Sequence, residues 1–99
     1  HAVYCASKGA VNQLVRVLAL EWGSLGVTVN AVAPTFIYTS GTAERLDDPE
    51  YRRAVVKRIP IGTVGTIADV AGAVIYLASD AAALVNGVVL PVDGGWTAQ

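Results

Sequence analysis

Two short runs, "VTVNAVAP" (Val27–Pro34) and "VVLPV" (Val88–Val92), most tightly limit how this chain can fold. In the first, Val27, Val29, Ala31 and Ala33 alternate with Thr28, Asn30 and Val32, so both faces are mostly apolar. Strands apolar on both faces belong to parallel sheets covered on both sides. Pro34 stops the first run. The connection between the runs is long enough for two helical patterns, which calls for parallel strands and a right-handed crossover. Two strands do not make a stable sheet in water. The expectation is therefore α/β, with this chain supplying part of a larger parallel sheet.

The remaining segments read as helices and turns. Val11, Leu14, Val15, Leu18 and Trp22 recur at three- and four-residue steps, predicting a helix from Tyr4 to about Gly23. Val17 and Leu20 lie off that stripe, so a second face is also apolar and calls for a second packing partner. Gly23 and Gly26 offer the exit. Thr35 to Asp47 reads as a polar loop. In "DDPEYRRAVVKRIP", Asp48 suits the cap, Pro49 the first helical position and Glu50 the dipole, while Pro60 closes the segment. "TIAD", Thr66 to Asp69, resembles a capping box for a helix running to about Ser79. Asn86-Gly87 predicts a turn before the second strand, and Asp93 to Trp96 is expected to end the ordered part.

The totals exclude several functions. Net charge is -1, 15% of residues are charged, and no basic run exists to neutralise phosphates, so neither nucleic acid nor anionic membrane is an expected partner. One cysteine, Cys5, forms no internal disulfide and no cysteine metal cluster, which fits a cytoplasmic setting; no metal ligands are expected. No apolar run is long enough for a transmembrane helix. Hydrophobic residues make up 54% of a 99-residue chain, an excess that suggests surface meant to meet more protein. With no methionine, even at position 1, the residues are expected to be the tail of a longer protein.

The chemistry is concentrated in "YCASK". Tyr4 and Lys8 are four residues apart, which on one helix puts them on one face about 5–6 Å apart at Cβ. A cation about 5 Å from a phenol, at an effective dielectric near 20, favours the phenolate by roughly 3 kcal/mol. Such a phenol can pass protons to and from an alcohol or ketone oxygen. Taken alone, the pair is more often a surface neighbourhood than a site.

Other motifs accompany it. "YCASKGAV", "VTVNAVAPTFIYT", "RIPIGTVGTIADVAGAVIYLASDAA" and "NGVVLPVDGGW", in that order, closely resemble the C-terminal part of short-chain dehydrogenase/reductases across practically the whole chain. The resemblance implies the C-terminal part of a Rossmann-like doubly wound parallel sheet. It makes residues 1–99 the C-terminal portion of a single domain, its N-terminal dinucleotide-binding half lying before residue 1. It implies NAD or NADP as cofactor, a small alcohol or ketone as substrate, and a homotetramer or homodimer. Tyr4 matches the catalytic acid/base. Lys8 matches the residue that holds the nicotinamide ribose and assists the tyrosine. Pro34 and Thr35 open the loop beside the nicotinamide, Ile37 matches the position whose backbone binds the carboxamide, and Thr39 matches a cofactor-binding threonine. Asn30 matches a structural strand-end asparagine.

The chain departs from the family pattern at Thr35, where glycine is usual, and at Thr63, where arginine is frequent. The family's glycine-rich first turn and its serine have no counterpart here, so this chain alone is expected to be inactive. Two other readings stay open: a sugar-nucleotide epimerase or dehydratase, which can share the Tyr-x-x-x-Lys pair, and a non-catalytic packing or assembly module. Cys5, Trp22 and Trp96 read as packing residues. Residues 40 to 58 read equally as a solvated face or a lid over substrate.

Overall fold

A computed structural model describes residues 1–99. The order is α1 (Ala2–Gly23), β1 (Ala31–Pro34), α2 (Ala43–Leu46), α3 (Pro49–Lys57), α4 (Ile67–Ala78) and β2 (Val89–Val92), with 3₁₀ turns at Asp80–Ala82 and Trp96–Ala98. The strands form a two-stranded sheet. Ala31 N–H donates to the Val88 carbonyl and Thr35 N–H to the Val92 carbonyl, so both strands advance together and are parallel. The chain divides into two compact units: His1–Ala31 with Ile75–Leu90, and Val32–Val74 with Pro91–Gln99.

In the first unit, α1 starts two residues earlier than the periodicity predicts and buries Val15 and Ala19. Gly26, at φ +79°, takes the left-handed turn of the exit. β1 is shorter than the apolar run: before Ala31 one backbone bond remains, Gly87 N–H to the Val29 carbonyl (2.8 Å), and side chains take the neighbouring N–H groups. Val29 N–H donates to the Asn86 side-chain oxygen (2.9 Å), and Val88 N–H to that of Asn30 (3.0 Å). The Asn30 amide donates to the Val85 carbonyl (2.8 Å) and the Asn86 amide to the Ala19 carbonyl (2.9 Å). Asn30 is thus a structural clamp that ties its strand to the turn preceding β2. The expected Asn-Gly turn forms, with Gly87 at φ +77°.

Much of the apolar surface of α1 is open in this chain. Leu20 is 83% exposed and Leu14 54%. Cys5 is also exposed, not packed, and Trp22 is partly open. Exposed apolar surface on this scale commonly marks an interface.

The second unit has the core: Leu46, Val55, Ile59 and Val64, with Phe36, Val56 and Trp96 packed against them. Trp96 is the anchor expected of it. Its ring lies 5.2 Å from that of Phe36, and the Arg58 guanidinium sits 4.5 Å above it. The chain stays ordered past Trp96: the Gln99 amide donates to the carbonyls of Arg58 and Trp96. α3 begins as the sequence predicts, with Asp48 accepting from Glu50 N–H (3.0 Å) and Pro49 in the first turn. The polar loop read over Thr35 to Asp47 instead contains α2, a single turn fixed by burial of Leu46.

The capping box also forms. The Asp69 carboxylate accepts from Thr66 N–H (2.7 Å) and from the Thr66 hydroxyl (2.9 Å), while Asp69 N–H donates back to that hydroxyl (3.4 Å). These bonds, the backbone N–H foremost, hold the Asp69 carboxyl below the usual carboxylate range. A carboxyl lowered on folding contributes stability above its unfolded value, and that contribution is lost as pH falls through its folded value. Asp69→Asn in the full-length protein should therefore show a smaller loss of urea midpoint between about pH 7 and about pH 3 than wild type does. Equal acid losses in the two proteins would show that the box contributes nothing to acid sensitivity.

Candidate functional site

The sequence-predicted residues fall into two groups, one in each unit. Tyr4 and Lys8 belong to the first. α1 puts them one turn apart, and the Lys8 ammonium lies 5.6 Å from the centre of the Tyr4 ring. The phenol is 62% exposed, and the Ser7 hydroxyl, donating to the Tyr4 carbonyl (2.8 Å), is occupied by the backbone of that same turn. The phenol is open to exchange a proton with a substrate oxygen, and the Lys8 cation lies within cation–π range of its ring.

Pro34, Thr35, Ile37 and Thr39 belong to the second unit, Pro34 as the last residue of β1 and the others on the segment that leaves it. Ile37 forms an isolated parallel bridge with Gly65: Gly65 N–H donates to the Phe36 carbonyl (2.8 Å) and Tyr38 N–H to the Gly65 carbonyl (2.9 Å). A bridge of this kind turns the N–H and C=O of Ile37 itself to the opposite edge. The carbonyl there accepts from the Thr42 hydroxyl (2.6 Å), and the N–H makes no hydrogen bond within the chain. It is a free, oriented backbone donor, the kind of group that a carboxamide oxygen accepts from. A Cβ at Gly65 would lie 2.5 Å from Ile37 Cδ1, the tip of a side chain that would have to turn aside.

Thr42 is the residue that sequence reasoning missed. It precedes α2, yet its hydroxyl does not cap that helix. It accepts from Thr39 N–H (2.9 Å) and donates to the Ile37 carbonyl, closing the Ile37–Thr42 segment into a turn. A threonine ahead of the four residues "AERL" was the available signal; a hydroxyl that turns back toward the preceding loop has no sequence signature. A cavity of about 450 Å³ borders the same segment, lined by Thr35, Phe36, Ile37, Ile61, Thr63 and Asp93 among others. The Asp93 carboxyl is held low chiefly by the hydroxyl and N–H of Thr97, so it serves the turn after β2. Thr63, where arginine is frequent, makes a local bond to the Val64 carbonyl (3.2 Å). No group of three His, Cys, Asp or Glu side chains is arranged to hold a metal ion, and no helix is long and apolar enough to cross a membrane.

The other departure, Thr35, is accommodated without strain. No residue except glycine has a positive φ, and Thr35 N–H continues the ladder to Val92 (3.4 Å). Glycine is therefore not required by the backbone here. Thr35→Gly in the full-length protein should lower stability by about 0.5–1 kcal/mol through added chain freedom and leave NADP⁺ affinity unchanged or improved. A thermal melt and a dinucleotide titration check this. A tenfold loss of affinity, about 1.4 kcal/mol, would show that the Thr35 side chain makes a contact of its own.

Comparisons with known proteins agree on one family. The family model described as enoyl-(acyl carrier protein) reductase matches residues 1–97. The chain is 50% identical over 93 residues to 2-dehydro-3-deoxy-D-gluconate 5-dehydrogenase of Pseudoalteromonas atlantica, covering 94% of this chain and 37% of that protein. A gluconate 5-dehydrogenase from Burkholderia cenocepacia, solved in complex with NADP and tartrate, superposes with a TM-score of 0.88 at 38% identity; the match covers 97% of this chain and 38% of that one. A 4-hydroxyisoleucine dehydrogenase complexed with NADH gives 0.93 at 33% identity, covering 99% and 40%. The chain thus spans well under half the length of these relatives, all of the α/β class.

Proposed function

This chain belongs to the short-chain dehydrogenase/reductase family, and on that premise we propose that the full-length protein transfers hydride reversibly between NAD or NADP and a secondary alcohol or ketone. Residues 1–99 are then the C-terminal portion of one Rossmann-like domain whose dinucleotide-binding half precedes them. Tyr4 gives or takes the proton of the substrate oxygen. Lys8 stabilises the charged phenol and donates to the nicotinamide ribose. The Ile37 N–H binds the carboxamide, with Pro34 and Thr35 shaping the loop and Thr39 adding a hydroxyl near the cofactor. The nicotinamide, when bound, accepts or supplies the hydride.

The observation that carries this reading is the Tyr4–Lys8 contact on one exposed face of α1, with its 5.6 Å ring-to-ammonium distance. The free N–H of Ile37 supports the cofactor side. The names of the gluconate-type relatives favour a sugar acid or related polyol as substrate. The open apolar face of α1 supports a homotetramer or homodimer, and a single unpaired cysteine fits a cytoplasmic protein. The test is full-length protein with NAD⁺ or NADP⁺ and a panel of sugar acids and polyols, followed by absorbance of the reduced nicotinamide. Absence of reduction with every pair would remove the reading.

A further inference from the structure

We propose that Tyr38 is a positioning residue: its side chain clasps the Ile37–Thr39 turn to the α2–α3 segment, setting that segment as a lid in register with the cofactor-binding loop. The inference rests on the hydride-transfer reading for its functional consequence, and on geometry alone for the clasp.

Tyr38 sits between Ile37 and Thr39, both assigned to the cofactor side. Its backbone is fixed by donation to the Gly65 carbonyl. Its hydroxyl donates to Asp47 Oδ1 at 2.9 Å. Asp47 closes α2, and the next residue, Asp48, caps α3, so the bond lands on the junction of the two helices. The Arg52 guanidinium, in the first half of α3, lies 5.8 Å from the centre of the Tyr38 ring. One side chain of the loop therefore meets both helices.

The loop holds α2 at both ends. Thr42, ahead of its first residue, is bonded to Ile37 and Thr39; Asp47, after its last, is bonded to Tyr38. Between these two ties Leu46 plugs into the core at 2% exposure. A shift of the cofactor-side turn is thus passed directly to the segment after it. The hydroxyl is a dependable donor, because its hydrogen bond to Asp47 pushes the phenol above its usual range.

Tyr38 is 38% exposed, and a bond this open adds little to global stability. Its effect is on position, which separates the proposal from plain structural support. In the full-length protein, Tyr38→Phe should leave the melting temperature nearly unchanged while amide hydrogen exchange over residues 43–53 quickens. With D-gluconate and NADP⁺ as the probe pair, KM should rise about three- to tenfold, the span one hydrogen bond supports, with kcat retained. Asp47→Ala should match Tyr38→Phe, and Asp47→Asn, which keeps an acceptor oxygen, should stay near wild type.

Unchanged exchange in both Tyr38→Phe and Asp47→Ala would overturn the clasp whatever the activity. Faster exchange with KM unmoved in a turning-over enzyme would overturn the lid role. If wild type does not oxidise D-gluconate, KM is read with the panel member that it does oxidise, and the exchange result decides the clasp independently of either.

Discussion

Tyr4→Phe in the full-length protein is expected to lower the rate of alcohol oxidation by about 10²–10⁴-fold, the usual contribution of a general acid–base group. It removes one oxygen from a side chain that is 62% exposed in this chain, so packing within residues 1–99 changes little. Dinucleotide affinity should remain close to wild type, because Lys8 and the Ile37 N–H are still present. Lys8→Met is the companion. It keeps much of the stem and removes the charge 5.6 Å from the ring. Rate and cofactor affinity should both fall. Steady-state kinetics, with separate dinucleotide titrations, measure each part. If Tyr4→Phe turned over normally, the pair would be a surface contact on a helix.

The second large effect concerns stability. Leu46→Ala should cost the full-length protein about 2–5 kcal/mol, the range for emptying a buried leucine site. Leu46 is 2% exposed, within the cluster that includes Val55, Ile59 and Val64. It is also the one large apolar side chain of α2. With whole domains stable by about 5–15 kcal/mol, that loss is a large share. Ile59→Val, one methylene smaller at a neighbouring site, should cost about 0.5–1.5 kcal/mol. Urea unfolding of the three proteins gives the comparison. A Leu46→Ala loss no larger than that of Ile59→Val would mean that α2 is loosely held, and the two-ended hold described for it would fail with it.

Leu46 also marks where sequence reasoning reached its limit. α1, α3 and α4 were legible because each repeats an apolar period or carries its own start signal: Asp48 accepts from Glu50 N–H, and Thr66 and Asp69 bond reciprocally. α2 is one turn with one buried leucine, too short for a period, and "SGTAERL" has the composition of a loop. β1 is shorter than its apolar run for a related reason. Val27 to Asn30 have strand chemistry, but the Asn86 and Asn30 side chains take the Val29 and Val88 N–H groups, leaving the Gly87 N–H to Val29 carbonyl bond as backbone pairing there.

At the site, the Tyr4–Lys8 contact could be read from spacing, since helix geometry alone brings the fourth residue onward alongside. The Tyr38–Asp47 and Thr42–Ile37 bonds could not. Each depends on where a loop places its side chains after α2 has docked, and no local pattern encodes that. The roles of Ile37 and Thr39 came from family resemblance; the free N–H of Ile37 is a property of the bridge to Gly65, which composition does not reveal.

The most direct test of hydride transfer assisted by Tyr4 follows the hydrogen itself. Full-length protein is incubated with NADP⁺ or NAD⁺ and sugar acids or polyols deuterated at the carbinol carbon, and the nicotinamide is examined by mass spectrometry. The account predicts one deuterium on the reduced nicotinamide with wild type and a rate of appearance lower by about 10²–10⁴-fold with Tyr4→Phe. Bound dinucleotide that never acquires deuterium, or transfer by Tyr4→Phe at the wild-type rate, would contradict it.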